Sequence, residues 1–137
     1  MLRYRLTHPE ILATLAAAGH GSQVLIADGH YPVSTGAAPT AVRVSLNLTP
    51  DQPTVPQVLE VLIDAVATEA ATVMQPPPTI PEPQVFAEFA RLLPDCPINR
   101  LDRAEFYEAA RSSDVALVIA TGERRTYANL MITLGVV

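Results

Sequence analysis

The chain has 137 residues, of which 49% are hydrophobic and 17% charged, and it carries a net charge of −5. These values describe one globular domain, residues 1–137, with enough apolar side chain for a core, and they argue against nucleic acid or an anionic membrane surface as a partner. The nine Lys or Arg positions are all arginine and the one cysteine is Cys96, which excludes lysine Schiff bases, a P-loop lysine, an internal disulfide and a thiolate zinc cluster.

The N-terminal stretch MLRYRLTHPE lacks the apolar core of a signal peptide, and no uncharged apolar run is long enough for a membrane span. With a lone cysteine that suits a reducing compartment, a cytoplasmic location is expected.

Taken in order, the periodicities alternate between helix and strand. Thr7–His8–Pro9–Glu10 has capping-box spacing and opens an amphipathic helix through about Ala18, ended by Gly19 and Gly21. Gln23–Asp28 is a buried strand, and Ala41–Leu46 alternates as a second. Thr54–Val55–Pro56–Gln57 repeats the capping logic and starts a helix through about Ala67. Ala71–Met74 is a short apolar strand, followed by the stiff proline-rich loop QPPPTIPEP at 75–83. Gln84–Leu93 reads as helix and Ile98–Leu101 as strand. Asp102 caps a helix to about Arg111, Val115–Ala120 (VALVIA) is a strand buried on both faces, and Asn129–Leu134 completes the sheet. Strands alternating with helices predict a layered α/β fold with a largely parallel sheet. In such sheets binding groups collect where strands end at their carboxyl termini. Asp28, His30 and Tyr31 stand at one such end, and Thr121–Gly122–Glu123 at another.

Each candidate group has a functional and a bland reading. His20 suits general acid–base work near neutral pH, or it caps helix carbonyls. Asp28 orients hydroxyl groups, or it closes an Asx turn on its own backbone. Asp28–Gly29–His30 supplies too few ligands for a metal. Tyr127 and Asn129 in TGERRTYAN offer the donors and acceptors that read sugar hydroxyls. Their bland account is a tight turn in which the asparagine takes a left-handed backbone. Glu123–Arg124–Arg125 reads as a solvated charge cluster. Arg103 is unfavourable at a helix N-terminus unless something engages it. Phe106 and Tyr107 read as core packing, and Cys96 as an inert thiol.

Together GHG at 19–21, DGHYP at 28–32, RAEFYE at 103–108 and TGERRTYAN at 121–129 resemble the RbsD/FucU family of sugar mutarotases. The likeness is nearest to its L-fucose mutarotase branch, through His30, the Arg-x-x-Phe-Tyr-Glu helix and Thr-Gly-Glu-Arg. DGHYP departs mildly from the commoner DAHFP, and the segment around 75–83 departs more. The resemblance implies a three-layer α/β/α domain with a mixed, mostly parallel sheet. It implies interconversion of the α and β anomers of a monosaccharide, with no cofactor and no metal. His20 and Tyr127 would move protons, while Asp28, Arg103, Tyr127, Asn129 and His30 would hold the sugar. It further implies a ring-like homo-oligomer, expected as a decamer. A D-ribose pyranase activity and a non-catalytic sugar-binding or transport-accessory role are the alternatives. Because His20 and Asp28 are eight residues apart, one pocket contains both only if the chain folds back or a neighbouring subunit supplies one of them.

Overall fold

A computed structural model describes residues 1–137. Its helices are α1 (Pro9–Ala17), α2 (Val55–Leu62), α3 (Val85–Leu92) and α4 (Arg103–Ala110). Its strands are β1 (Gln23–Ala27), β2 (Val42–Ser45), β3 (Thr68–Met74), β4 (Ile98–Leu101), β5 (Val115–Ala120) and β6 (Leu130–Leu134). They form one sheet in the order β2–β5–β1–β6–β3–β4. The pairs β1–β5, β2–β5 and β3–β4 are parallel, and β6 runs antiparallel to both β1 and β3.

Side-chain alternation along the strands builds two apolar layers. Val24 and Ile26 of β1 face α1, α2 and α3, joining Ile11, Leu59, Phe89, Leu117 and Ile132. Leu25 and Ala27 face the other way, toward Phe106 and Ala110 of α4 and the segment containing Tyr31, Ala37 and Ala38. The domain is therefore a three-layer α/β/α sandwich with a mixed, mostly parallel sheet, and VALVIA and QVLIA in its middle are buried on both faces as their composition requires.

Three local expectations are corrected. The cap of α1 is His8, whose Nδ1 accepts from the Ile11 N–H at 3.4 Å, and Thr7 lies outside the helix. A residue before proline is driven out of the helical region, so His8 must be extended and Pro9 takes the first helical position. Helix α2 stops at Leu62 instead of Ala67, its end closed by the Ala65 and Val66 N–H groups on Leu62 O. Strand β3 then begins at Thr68 instead of Ala71, because pairing of Thr68 with Leu134 and Ala70 with Thr133 extends a stretch that has no strand pattern of its own. The boxes at Thr54 and Asp102 are both complete, with side chain and backbone bonded reciprocally to Gln57 and Glu105.

Loop 28–41, between β1 and β2, is held by one cation. The Arg43 guanidinium donates to the carbonyls of Val33 (2.8 Å), Ala38 (3.0 Å), Ala41 (3.1 Å) and Ala37 (3.2 Å). Arg43→Met is expected to lower the unfolding free energy by about 2–3 kcal/mol, since several carbonyls lose a charged donor at once. Urea denaturation measures this, and Arg43→Lys should recover only part, because an ammonium cannot span the same fork of acceptors. The 75–83 loop is anchored in a similar way: Arg100 donates to Gln75 Oε1 at 3.0 Å and pairs with Glu82.

Candidate functional site

The topology determines which side chains meet. Strands β1, β3 and β4 point the same way, so Asp28, Met74 and the start of α4 emerge at one edge of the sheet. Because β6 runs antiparallel, its first residues arrive at that same edge and bring the 126–129 turn with them. Asp28, His30, Tyr31, Met74, Arg103, Tyr107, Thr126, Tyr127 and Asn129 line a hollow of about 200 Å³ there.

Asp28 is the anchor of this hollow. It is only 3% exposed, and burial raises its pKa above the usual carboxylate range, opposed by backbone N–H groups and by His30. Its Oδ1 accepts from the His30 N–H at 3.0 Å and its Oδ2 from the Ala128 N–H at 3.3 Å. The Asp28 N–H donates to Asn129 Oδ1 at 2.8 Å. Asp28 thus makes the Asx-type turn of its bland reading and lines the hollow at the same time.

The walls are largely aromatic. The Tyr31 ring stacks on Tyr107 at 5.1 Å and meets Phe106 edge-on at 6.3 Å. Its hydroxyl donates to Gly36 O at 2.6 Å, and burial pushes its pKa well above the ordinary phenol value. Arg103, at the first position of α4, lies 5.7 Å over the Tyr107 ring, one turn further along the helix. That ring face is what engages a cation the helix dipole disfavours. Tyr107 is thus half-buried wall, whereas Phe106 is core, as its composition suggested. Met74 and Thr126 were not anticipated, since neither type carries a site signal by itself.

Tyr127 has φ 58°, a left-handed backbone that a non-glycine residue adopts at a cost of roughly 1–2 kcal/mol. The asparagine was expected there, and the tyrosine occupies it instead. His30 has its Nε2 2.9 Å from Arg124 O. A carbonyl only accepts, so Nε2 carries the proton and Nδ1 is the bare nitrogen of the neutral ring.

The adjoining Glu123 is no solvated charge. It is 1% exposed and takes a fork of bonds from Arg125, whose Nε and Nη2 both reach it at 2.9 Å. The Val55 N–H at the start of α2 adds another at 3.4 Å. Burial pushes the carboxyl upward, but the Arg125 bonds outweigh it and hold Glu123 below the usual glutamate range. Arg125 also pairs with Glu88 of α3. Arg124 and Arg125 are exposed as a solvated cluster requires, but Glu123 is a buried carboxylate tied to Arg125 just before the turn that presents Tyr127 and Asn129.

His20 is not brought to this hollow. It sits where β1 begins, exposed, with Nε2 2.8 Å from Glu69 Oε2. The chain does not fold back: the five residues of β1, at about 3.3 Å each, separate the two edges by roughly 17 Å. No group of three or more His, Cys, Asp or Glu side chains is placed to hold a metal ion, and no helix is long and apolar enough to cross a membrane. Cys96 is a free thiol whose pKa burial raises.

The hollow combines a carboxylate, an amide, phenols and a guanidinium with ring faces and Met74, a lining whose chemistry suits a small polyhydroxylated molecule. Comparison with known proteins supplies the family. The RbsD / FucU transport protein family matches residues 1–137. The chain belongs to the RbsD/FucU family. It is 32% identical to human fucose mutarotase over 146 residues, covering 96% of this chain and 90% of that one. It is 31% identical to a D-ribose pyranase of Paracidovorax citrulli over 136 residues, covering 99% and 98%. A solved structure of Bacillus subtilis RbsD complexed with D-ribose superposes with a TM-score of 0.84 at 26% identity, covering 100% of this chain and 99% of that one. Both activities of the RbsD/FucU family are thus met at nearly equal identity, so overall similarity does not separate the fucose from the ribose branch. Membership supports an isomerase-type activity on a monosaccharide.

Proposed function

We propose that the protein is a sugar mutarotase that interconverts the anomers of a monosaccharide, with L-fucose as its preferred substrate. The observation that carries this is the convergence of Asp28, His30, Arg103, Tyr127 and Asn129 from three separate parts of the chain on one hollow. The fucose preference rests on Arg103 and His30, two of the groups by which the sequence resembles that branch. Asp28, Arg103, Asn129 and His30 hold the sugar hydroxyls.

The chemistry needs one base and one acid. A base takes the anomeric hydroxyl proton, an acid protonates the ring oxygen, and the bond between the anomeric carbon and that oxygen breaks to give the open aldehyde. Rotation about the neighbouring carbon–carbon bond and reclosure on the other face return both protons, so nothing is consumed. Tyr127 is one carrier, held at the hollow by its left-handed backbone. The other is His20 of the partner subunit. Within one chain that imidazole stands at the far edge of the sheet, exposed, as a group offered to a neighbour would be. The reading therefore includes a homo-oligomer in which each hollow is completed by an adjacent copy.

Saturation-transfer NMR on equilibrated sugars tests this directly. Anomer exchange is expected with L-fucose, and more slowly with D-ribose. The family's description as a transport protein favours a second reading, sugar binding without turnover. Binding of L-fucose with no exchange would select that reading, and a fully active monomer would remove the shared site.

A further inference from the structure

The turn that carries His20 and the strand beside it are both firmly placed. Gly21 N–H donates to Leu134 O and Leu134 N–H to Ser22 O, each at 2.9 Å, tying the turn to the end of β6. Glu69 lies in β3, on the other side of β6, and its Cβ packs so close to Gly135 that a side chain added there would approach it to 3.1 Å. The 2.8 Å contact between His20 Nε2 and Glu69 Oε2 thus joins two side chains on fixed backbone, although both are about half exposed. A carboxylate oxygen accepts, so Nε2 carries the proton and the neutral ring leaves Nδ1 bare.

We infer that Glu69 is a positioning residue for His20: it takes the Nε2 proton in a hydrogen bond, aims the ring, and makes Nδ1 the nitrogen that exchanges a proton with the sugar. This rests on the acid–base role proposed above for His20. The anomeric proton arrives on Nδ1, is held on an imidazolium paired with Glu69, and returns when the ring closes. A base oriented through its second nitrogen by a carboxylate is a recurrent arrangement in proton-transfer sites, because the carboxylate fixes the tautomer and favours the protonated ring.

Around His20, strand β3 contributes Glu69, and α1 has no basic residue in its last turn. Asp114, whose carbonyl accepts from the Gln23 N–H at 2.8 Å, precedes β5 at the same edge of the sheet. Glu69 alone stands within ion-pair distance of the ring. Replacing its carboxylate with an amide, which donates as well as accepts, should therefore leave the ring free to take either tautomer.

The experiment uses the full assembled protein as wild type, Glu69→Gln and His20→Ala. NMR of the ring nitrogens and protons gives the protonated nitrogen of His20. Saturation transfer gives the rate of anomer exchange and its dependence on sugar concentration. In wild type the neutral ring is expected to carry its proton on Nε2. In Glu69→Gln, whose amide donates as well as accepts, that single tautomer should be lost. The maximal rate of exchange should fall with it, with KM unchanged. If Nδ1 carries the proton in wild type, or if Glu69→Gln keeps the wild-type tautomer and rate while His20→Ala is inactive, the role of Glu69 is overturned and the function stands. If His20→Ala exchanges anomers at the wild-type rate, the acid–base role of His20 falls and this inference falls with it.

Discussion

His20→Ala is expected to slow anomer exchange by roughly 10²–10⁴-fold, the usual worth of a positioned acid–base group, without weakening the fold. Its side chain is exposed and its single partner is Glu69 on a neighbouring part of the same edge, so truncation leaves the core untouched. Sugar binding should persist, because the hollow is built by other residues. Arg103→Ala should instead weaken binding, since it removes a cation held over Tyr107 at the mouth of α4. These two losses fall on opposite edges of the sheet, which permits a stringent check. If each hollow borrows its imidazole from a neighbour, co-assembling equal amounts of His20→Ala and Arg103→Ala chains rebuilds about a quarter of the sites with both groups intact. At a sugar concentration too low to saturate Arg103→Ala, exchange faster than either impaired variant gives alone has no explanation in a site made within one chain. A mixed assembly no faster than the average of its parents would rule out sharing.

Arg125→Met should be strongly destabilising, lowering stability by roughly 3–5 kcal/mol near neutral pH. Glu123 is 1% exposed, and without the guanidinium its charge keeps only the Val55 and Arg125 backbone N–H groups. The reverse variant, Glu123→Gln, should cost less, because the Arg125 side chain is 40% exposed and retains Glu88. The pH dependence carries the distinctive sign. In the parent protein Glu123 is held below its usual pKa. It thus stabilises the fold above the unfolded value of about 4.3 and loses that contribution as pH falls through the lower folded value. In Arg125→Met burial acts without the fork, so the folded pKa lies above the unfolded one and stability is lost as pH rises between them. The deficit should accordingly be smallest near pH 4 and grow toward neutrality in denaturant unfolding followed across that range. A deficit that stays constant with pH would show that Glu123 is not the charge left behind. Because this ion pair lies just before the turn bearing Tyr127 and Asn129, the variant should lose sugar affinity as well.

Much of this molecule was legible in the chain because the relevant forces act over a few residues. The boxes at Thr54 and Asp102 are local hydrogen-bond exchanges. VALVIA and QVLIA are apolar throughout, so they belong between two covered faces. The place where binding groups gather, the residues just past Ala27, follows from the rule for strand ends in parallel sheets. Even the cap at His8 lay in the sequence, in the constraint that Pro9 places on the residue before it.

Tertiary structure decided whatever depends on which strand lies beside which. The antiparallel entry of β6 between β1 and β3 is what carries Tyr127 and Asn129 to the edge where Asp28 stands, and no local signal specifies pairings between segments so distant in the chain. The same pairing extends β3 back to Thr68 and sets Glu69 against His20. Glu123 read as a surface charge because its burial depends on distant segments, here Val55 at the start of α2, whereas Arg125 is at the surface as expected and reaches Glu88 of α3. Sequence by itself determined the elements, the core and the residue types suited to a sugar. The three-dimensional arrangement alone determined that five of those residues share a hollow while His20 faces outward from the opposite edge, since sheet order fixes distance and local patterning does not.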